Sequence, residues 1–253
     1  MRYSMKNKMV FENKASKYLE GRPSYAPEAI YKLLNDFLSE NDVVADIGSG
    51  TGIFAKEFVS KGFETYAVEP NSDMRIKAEE VLSNHTNFYS IDASAEDTRL
   101  NDKAISLITV ASAFHWFDVV KFKQECIRIL KDNGVVCIIF NVRIYDDFTK
   151  KQCEICKKYC NGFESLTHGY DKTLSLLESF FEGDYKTYIY NFPLEYSKHK
   201  FISRSLSSSY APLPGSENYE PYISEMNALL DETFESDAVR IANQTVMFVG
   251  KVK

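Results

Sequence analysis

Residues 43–52 read Val-Val-Ala-Asp-Ile-Gly-Ser-Gly-Thr-Gly, and the fold is decided in this stretch. An apolar run ends in Asp46, and glycines follow at alternate positions: Gly48, Gly50 and Gly52. A run with both faces apolar suits a buried parallel strand. Glycines reach positive φ and carry no Cβ, so the chain can turn sharply while a ligand lies against bare backbone. Ile53, Phe54, Phe58 and Val59 then fall on one side of a helical pattern, with Lys56, Glu57 and Lys61 elsewhere. Strand, glycine turn and helix open a doubly wound α/β domain with a Rossmann-like, mostly parallel sheet.

The spacing separates this turn from its commoner relatives. A dinucleotide fingerprint runs G-x-G-x-x-G; here the order is D-x-G-x-G-x-G. A carboxylate at Asp46 repels a pyrophosphate but accepts hydrogen bonds from an ammonium group. Further on, Thr65-Tyr66-Ala67-Val68 ends in Glu69, followed by Pro70 and Asn71. An acid at the tip of a second strand suits the two hydroxyls of a ribose. A cationic amino-acid end, a ribose and no phosphate together describe S-adenosylmethionine.

With those residues in view, the chain resembles a class I S-adenosylmethionine-dependent methyltransferase. Within that superfamily it is similar to the trans-aconitate-methyltransferase-like small-molecule enzymes. Besides the glycine loop, the resemblance rests on Tyr18 to Tyr25 (YLEGRPSY), Glu69 to Met74 (EPNSDM), Ser94 to Glu96 (SAE) and Ala113 to Asp118 (AFHWFD). It covers roughly residues 11–143, and the remainder more loosely through Ser207 to Pro212 (SSSYAP) and the last strand.

Working outward, strands are expected at Val43 to Ile47, Thr65 to Val68, Asn87 to Ile91, Ala104 to Val110 and Val135 to Phe140. Helices are expected at Glu28 to Ser39, Met74 to Ser83 and Phe117 to Leu130, the last closed by Lys131-Asp132-Asn133-Gly134 as its C-terminal cap. Repeating βα units imply a parallel sheet with right-handed crossovers. After Arg143 the rhythm breaks. Helices are read at Asp146 to Cys160, Lys172 to Phe181, from Phe201 and at Glu220 to Phe234, with strands at Tyr185 to Phe192 and Val239 to Val252. The resemblance implies that these last two strands pair antiparallel at the sheet edge. The whole chain, 1–253, then reads as one domain: a cofactor-binding core at about 27–143, 185–193 and 239–253, with a helical cap at about 144–183 and 197–235.

At 253 residues the chain can bury an ample core. Acidic residues outnumber basic ones, 36 to 30, which disfavours nucleic acid and anionic membranes as partners. The first twenty residues lack an apolar stretch of signal-peptide type. No apolar run is long enough to span a bilayer. Five cysteines, an odd number, fit a reducing compartment. These features lead to the expectation of a soluble, cytoplasmic protein with a small-molecule substrate; nothing in the sequence sets its oligomeric state. Cys153, Cys156 and Cys160 recur at the spacing of one helix stripe with no nearby fourth ligand, so they are read as packed side chains and no metal is expected.

Ligands of open α/β sheets bind at the carboxyl ends of the strands. The expected cofactor contacts there are Asp46, Gly48, Ser49, Gly50 and Gly52 after the first strand, and Glu69, Pro70, Asn71 and Met74 after the second. Ser94, Ala95 and Glu96 follow the third strand, and Ala111, Ser112 and His115 the fourth. Asp46 has a second reading as a cap of the following helix, and Asp92 an alternative role in reading the adenine amino group. The resemblance places Tyr18 and Arg22 near the cofactor carboxylate, in a segment able to close as a lid. His115 either orients the cofactor or loop, or acts as a base, since histidine titrates close to working pH. Tyr25, Trp116, Asn141, Arg143 and Tyr210 are the candidate substrate contacts, Arg143 through a bidentate contact to an anion. The expected reaction is in-line methyl transfer to a small molecule, a carboxylate or hydroxyl oxygen preferred. Protein or RNA methylation and non-catalytic cofactor binding are the alternatives.

Overall fold

A computed structural model describes residues 23–253; Tyr18, Arg22 and the lid reading of their segment lie outside the described residues. Its centre is β1 (Val43–Ile47), flanked on one side by β2 (Glu64–Val68) and β3 (Phe88–Ile91). On the other side lie β4 (Ile105–Ala111), β5 (Leu130–Arg143), β9 (Asn243–Gly250) and β6 (Tyr185–Asn191). The seven strands run in the order β3-β2-β1-β4-β5-β9-β6, and only β9 opposes its neighbours. The order reverses between β1 and β4, which opens a crevice beyond their carboxyl ends.

The apolar runs fill both faces, as their composition predicts. Ala45, Ile47, Ile138 and Phe140 belong to the core beneath α4 (Val119–Ile129) and α6 (His168–Phe181). The alternate residues Val44, Cys137 and Ile139 belong to the core beneath α1 (Pro27–Asp36) and α2 (Ala55–Val59). The period of two follows from strand geometry. Pro27 opens α1, where its missing N–H costs nothing. Asn71 caps α3 (Ser72–Leu82) by accepting from the Met74 N–H at 3.1 Å.

Three expectations are corrected. Lys131 to Gly134 do not cap a helix. α4 ends at Ile129, and Leu130 turns directly into extended backbone and pairs with Ile105. The register then jumps, so that Leu107 faces Val135 and the polar tetrapeptide becomes an excursion within β5. The single strand expected over Val239 to Val252 divides at Ala242 into β8 (Ala238–Ile241) and β9. β8 leaves the main sheet to pair with β7 (Leu194–Ser197), a strand too short to show a period. Finally, 168–181 is not cap. Phe180 of α6 stacks on Phe122 of α4 at 5.6 Å, and Leu177, Phe180 and Phe181 join the sheet core. The separate apolar cluster above the strand ends is built by β7, β8, α5 (Asp147–Tyr159), α7 (Lys198–Leu206) and α8 (Tyr219–Thr233). Cys156 and Cys160 are buried in that cluster as packed side chains. Among the described residues no helix is long and apolar enough to cross a membrane.

Candidate functional site

β1 buries Asp46 beside β4, where the register sets it opposite Thr109. Thr109 donates its hydroxyl to Asp46 Oδ1 at 2.8 Å. Asp46 is 1% exposed, and its Oδ2 has no hydrogen-bond partner among the described residues. Burial pushes its carboxyl up to about 7, and the negative charge of Glu69 adds to the shift; Thr109 and the Ala55 N–H oppose it. The Ala55 contact gives substance to the helix-cap reading of Asp46 alongside the ligand reading.

The glycine turn above it has φ of 70° at Gly48, 56° at Gly50 and 77° at Gly52, the left-handed region that favours glycine. Two of the three serve different ends. A Cβ at Gly52 would come within 2.9 Å of Leu82 Cδ1 and 3.1 Å of Ala78 Cβ, so this glycine lets α3 pack against the turn. A Cβ at Gly50 would meet nothing within 4 Å. Gly50 therefore presents bare backbone to open space. Its N–H donates to Glu69 Oε2 at 3.0 Å, and the Asn71 N–H donates to Glu69 Oε1 at 2.9 Å. Each carboxylate oxygen keeps a lone pair for another donor. Burial raises the Glu69 carboxyl above its ordinary value despite these two bonds.

A crevice of about 580 Å³, partly open to solvent, runs along the turn. Gly48, Ser49, Gly50, Ala111, Ser112, Tyr25 and Asn141, all predicted site residues, line it together. Ser112 sits at φ 56°, and its Oγ lies 3.0 Å from the Tyr25 hydroxyl. Asn141 lines the wall with its amide already engaged: Nδ2 donates to the Ser24 carbonyl and Oδ1 accepts from Thr245. It tethers the entry segment to the crevice wall.

Other predicted residues stand back from the crevice. Met74 and Asn71 are buried at the start of α3. Ala95 is buried in the sheet core, and Glu96 accepts from the Asp118 N–H at 2.9 Å, fastening the loop after β3. Asp92 pairs with Arg75, which also donates to the Glu69 carbonyl and so ties the β2 and β3 tips together. His115 and Trp116 lie in a 3-10 turn after β4 with their rings 4.8 Å apart. A Cβ at Gly169 would fall 2.6 Å from the His115 ring, so α6 abuts the imidazole.

Sequence reasoning missed Thr51, Arg75, Thr109 and Arg204. Ser49 and Thr51 line the crevice, with hydroxyls that have no partner among the described residues. Thr109 left a signal, as a polar residue inside an apolar strand. Arg204 left none. It comes from α7 in the cap and reaches the crevice wall only through the tertiary fold. Arg143 and Tyr210 fall on this cap side, Arg143 buried and Tyr210 within electrostatic reach of it. Among the described residues no group of three or more His, Cys, Asp or Glu side chains is arranged to hold a metal ion.

Comparison with known proteins agrees with this geometry. Residues 45–138 match the family described as a methyltransferase domain. An uncharacterised methyltransferase of Mycobacterium bovis is 32% identical over 133 residues, 53% of this chain and 52% of that one. The match thus spans about half the length of this relative. An uncharacterised methyltransferase of Schizosaccharomyces pombe is 24% identical over 247 residues, 94% of this chain and 95% of the relative. Among solved structures, a candidate type II methyltransferase from Anaeromyxobacter dehalogenans superposes with a TM-score of 0.67 at 18% identity, covering 91% of this chain and 98% of that one. The phosphoethanolamine N-methyltransferase 2 of Haemonchus contortus, solved with phosphomonomethylethanolamine and S-adenosylhomocysteine, gives 0.53 at 14% identity over 99% and 59%. The structural likenesses show a shared Rossmann-like fold.

Proposed function

We propose that this chain is a class I S-adenosylmethionine-dependent methyltransferase acting on a small molecule. The observation that carries the reading is the pair of acids at the glycine turn. Asp46 and Glu69 are both held where burial disfavours their charge, beside the open backbone of Gly50. A cation entering the crevice relieves both; a pyrophosphate aggravates both. The methyltransferase-domain match over 45–138 supports the same conclusion.

Each residue fits a part of that cofactor. Glu69, oriented by Gly50 and Asn71, offers its remaining lone pairs to the ribose hydroxyls. Asp46 Oδ2 is the acceptor for an ammonium group, and the hydroxyls of Ser49 and Thr51 are donors for a carboxylate. When bound, S-adenosylmethionine supplies a methyl group already activated by a sulfonium charge. The protein's share of the work is positioning and exclusion of water. The Tyr25–Ser112 pair and the cap above the strand ends close the crevice toward the acceptor. An oxygen of a carboxylate or hydroxyl is the acceptor atom this reading favours, since a carboxylate needs no base and His115 is engaged in packing.

The experiment is incubation with methyl-labelled S-adenosylmethionine and a metabolite extract, followed by mass spectrometry of labelled products. Label in a small molecule supports the reading. Label found only in added protein or tRNA contradicts the substrate class, and cofactor binding without turnover contradicts the activity.

A further inference from the structure

Arg204 lines the crevice, and the buried Arg143 lies within electrostatic reach of it. Arg143 ends β5 and is 5% exposed, yet its Nε, Nη1 and Nη2 have no hydrogen-bond partner among the described residues. A buried guanidinium with no acceptor is costly, because its five N–H donors have lost water and gained nothing. Its Cζ lies 5.6 Å from the Phe201 ring, which offers a weak cation–π contact and no hydrogen bond. Arg204, one turn further along α7 from Phe201, lines the crevice and also holds a buried Nε without a partner. The two positive charges oppose each other: burial pushes Arg143 down to about 9, and Arg204 adds to the shift, while Tyr196, Tyr210 and Asp146 act against it without neutralising it. The unpartnered Tyr196 hydroxyl lies within the same electrostatic reach. Like charges gathered in a buried place, with donors unfilled, call for an anion.

We propose that Arg143 and Arg204 form a two-guanidinium site on the cap side of the crevice that binds an anionic group, carboxylate or phosphate, of the methyl acceptor. The acceptor role rests on the methyltransferase reading; the anion site itself does not. The crevice is then bipolar. Carboxylates on the sheet side hold the cationic donor, and guanidiniums on the cap side hold the anionic acceptor, so each ligand is steered to its own end.

The test is isothermal titration of succinate and of inorganic phosphate, at constant ionic strength set with sodium chloride, into protein with and without saturating S-adenosylhomocysteine. Wild-type protein is expected to bind at least one of the two, and which one identifies carboxylate or phosphoryl chemistry. Arg204→Gln should weaken that binding at least tenfold while leaving S-adenosylhomocysteine affinity within about twofold. Arg143→Lys, which keeps the charge and loses the planar fork, should fall between the two. Absence of anion binding by wild type overturns the proposal, as does unchanged anion affinity in Arg204→Gln. So does loss of S-adenosylhomocysteine affinity in Arg204→Gln with anion affinity intact, which would assign Arg204 to the cofactor. Failure of wild type to bind S-adenosylhomocysteine contradicts the methyltransferase reading instead, and the titration without it still reads the anion site.

Discussion

Asp46 keeps a proton that an exposed carboxyl gives up, and this has a measurable consequence. Its folded pKa of about 7 exceeds the unfolded value of about 3.9. Between those limits the folded state binds more protons than the unfolded one, so this group's contribution to stability is full at low pH and declines as pH rises from about 4 to about 7. Asp46→Asn should flatten that decline in thermal unfolding across the same window. It should also weaken S-adenosylmethionine binding about ten- to hundredfold, the roughly 1.5–3 kcal/mol of a charge-assisted bond. Loss of the pH effect with affinity unchanged would reduce Asp46 to a cap for α2. Glu69→Ala removes the acceptor of the Gly50 and Asn71 N–H bonds and the proposed ribose acceptor, and should cost a comparable or larger factor in affinity while circular dichroism remains unchanged. Both acids were legible in the sequence because each closes an apolar strand. Arg204 was not, since it reaches the crevice wall only through the tertiary fold.

At the scale of elements, the glycine turn and α6 make the sharpest predictions. Gly52→Ala combines a left-handed backbone with a methyl group 2.9 Å from Leu82, and should lose about 2–4 kcal/mol in urea unfolding. Gly50→Ala carries only the backbone strain, about 1–2 kcal/mol, because its methyl group meets no protein atom. On the proposed function that methyl group would intrude on the cofactor, so affinity should drop more than tenfold. A Gly50→Ala variant binding as wild type would remove the turn from the site. Phe180→Ala should cost about 3–5 kcal/mol with one unfolding transition, since α6 belongs to the sheet core; a separate early transition would mean that α6 unfolds with the cap. The central strands β1, β4 and β5 were legible because buried parallel strands are written as near-continuous apolar runs. β7 and β8, four residues each, were too short to carry a period. The α6 assignment failed because an amphipathic helix shows which face it buries but not against what.

Across the whole molecule, the net charge of −6 describes the crevice poorly. Asp46 and Glu69 lie within electrostatic reach of each other at the tips of β1 and β2, while Arg143 and Arg204 are neighbours where α7 of the cap meets the crevice. Binding in that crevice stabilises the entire fold by linkage. S-adenosylhomocysteine at about 100 times its dissociation constant should contribute about 2.7 kcal/mol, seen as a rise of about 5–10 °C in Tm for a chain of this size. The central claim, that the acid-led glycine turn encloses an adenosyl sulfonium, is tested most directly by isothermal titration of purified protein with S-adenosylmethionine and, separately, with NAD. The expected result is one-to-one binding of S-adenosylmethionine, weakened in Glu69→Ala, and no heat from NAD. Saturable binding of NAD with none of S-adenosylmethionine at millimolar concentration would contradict it.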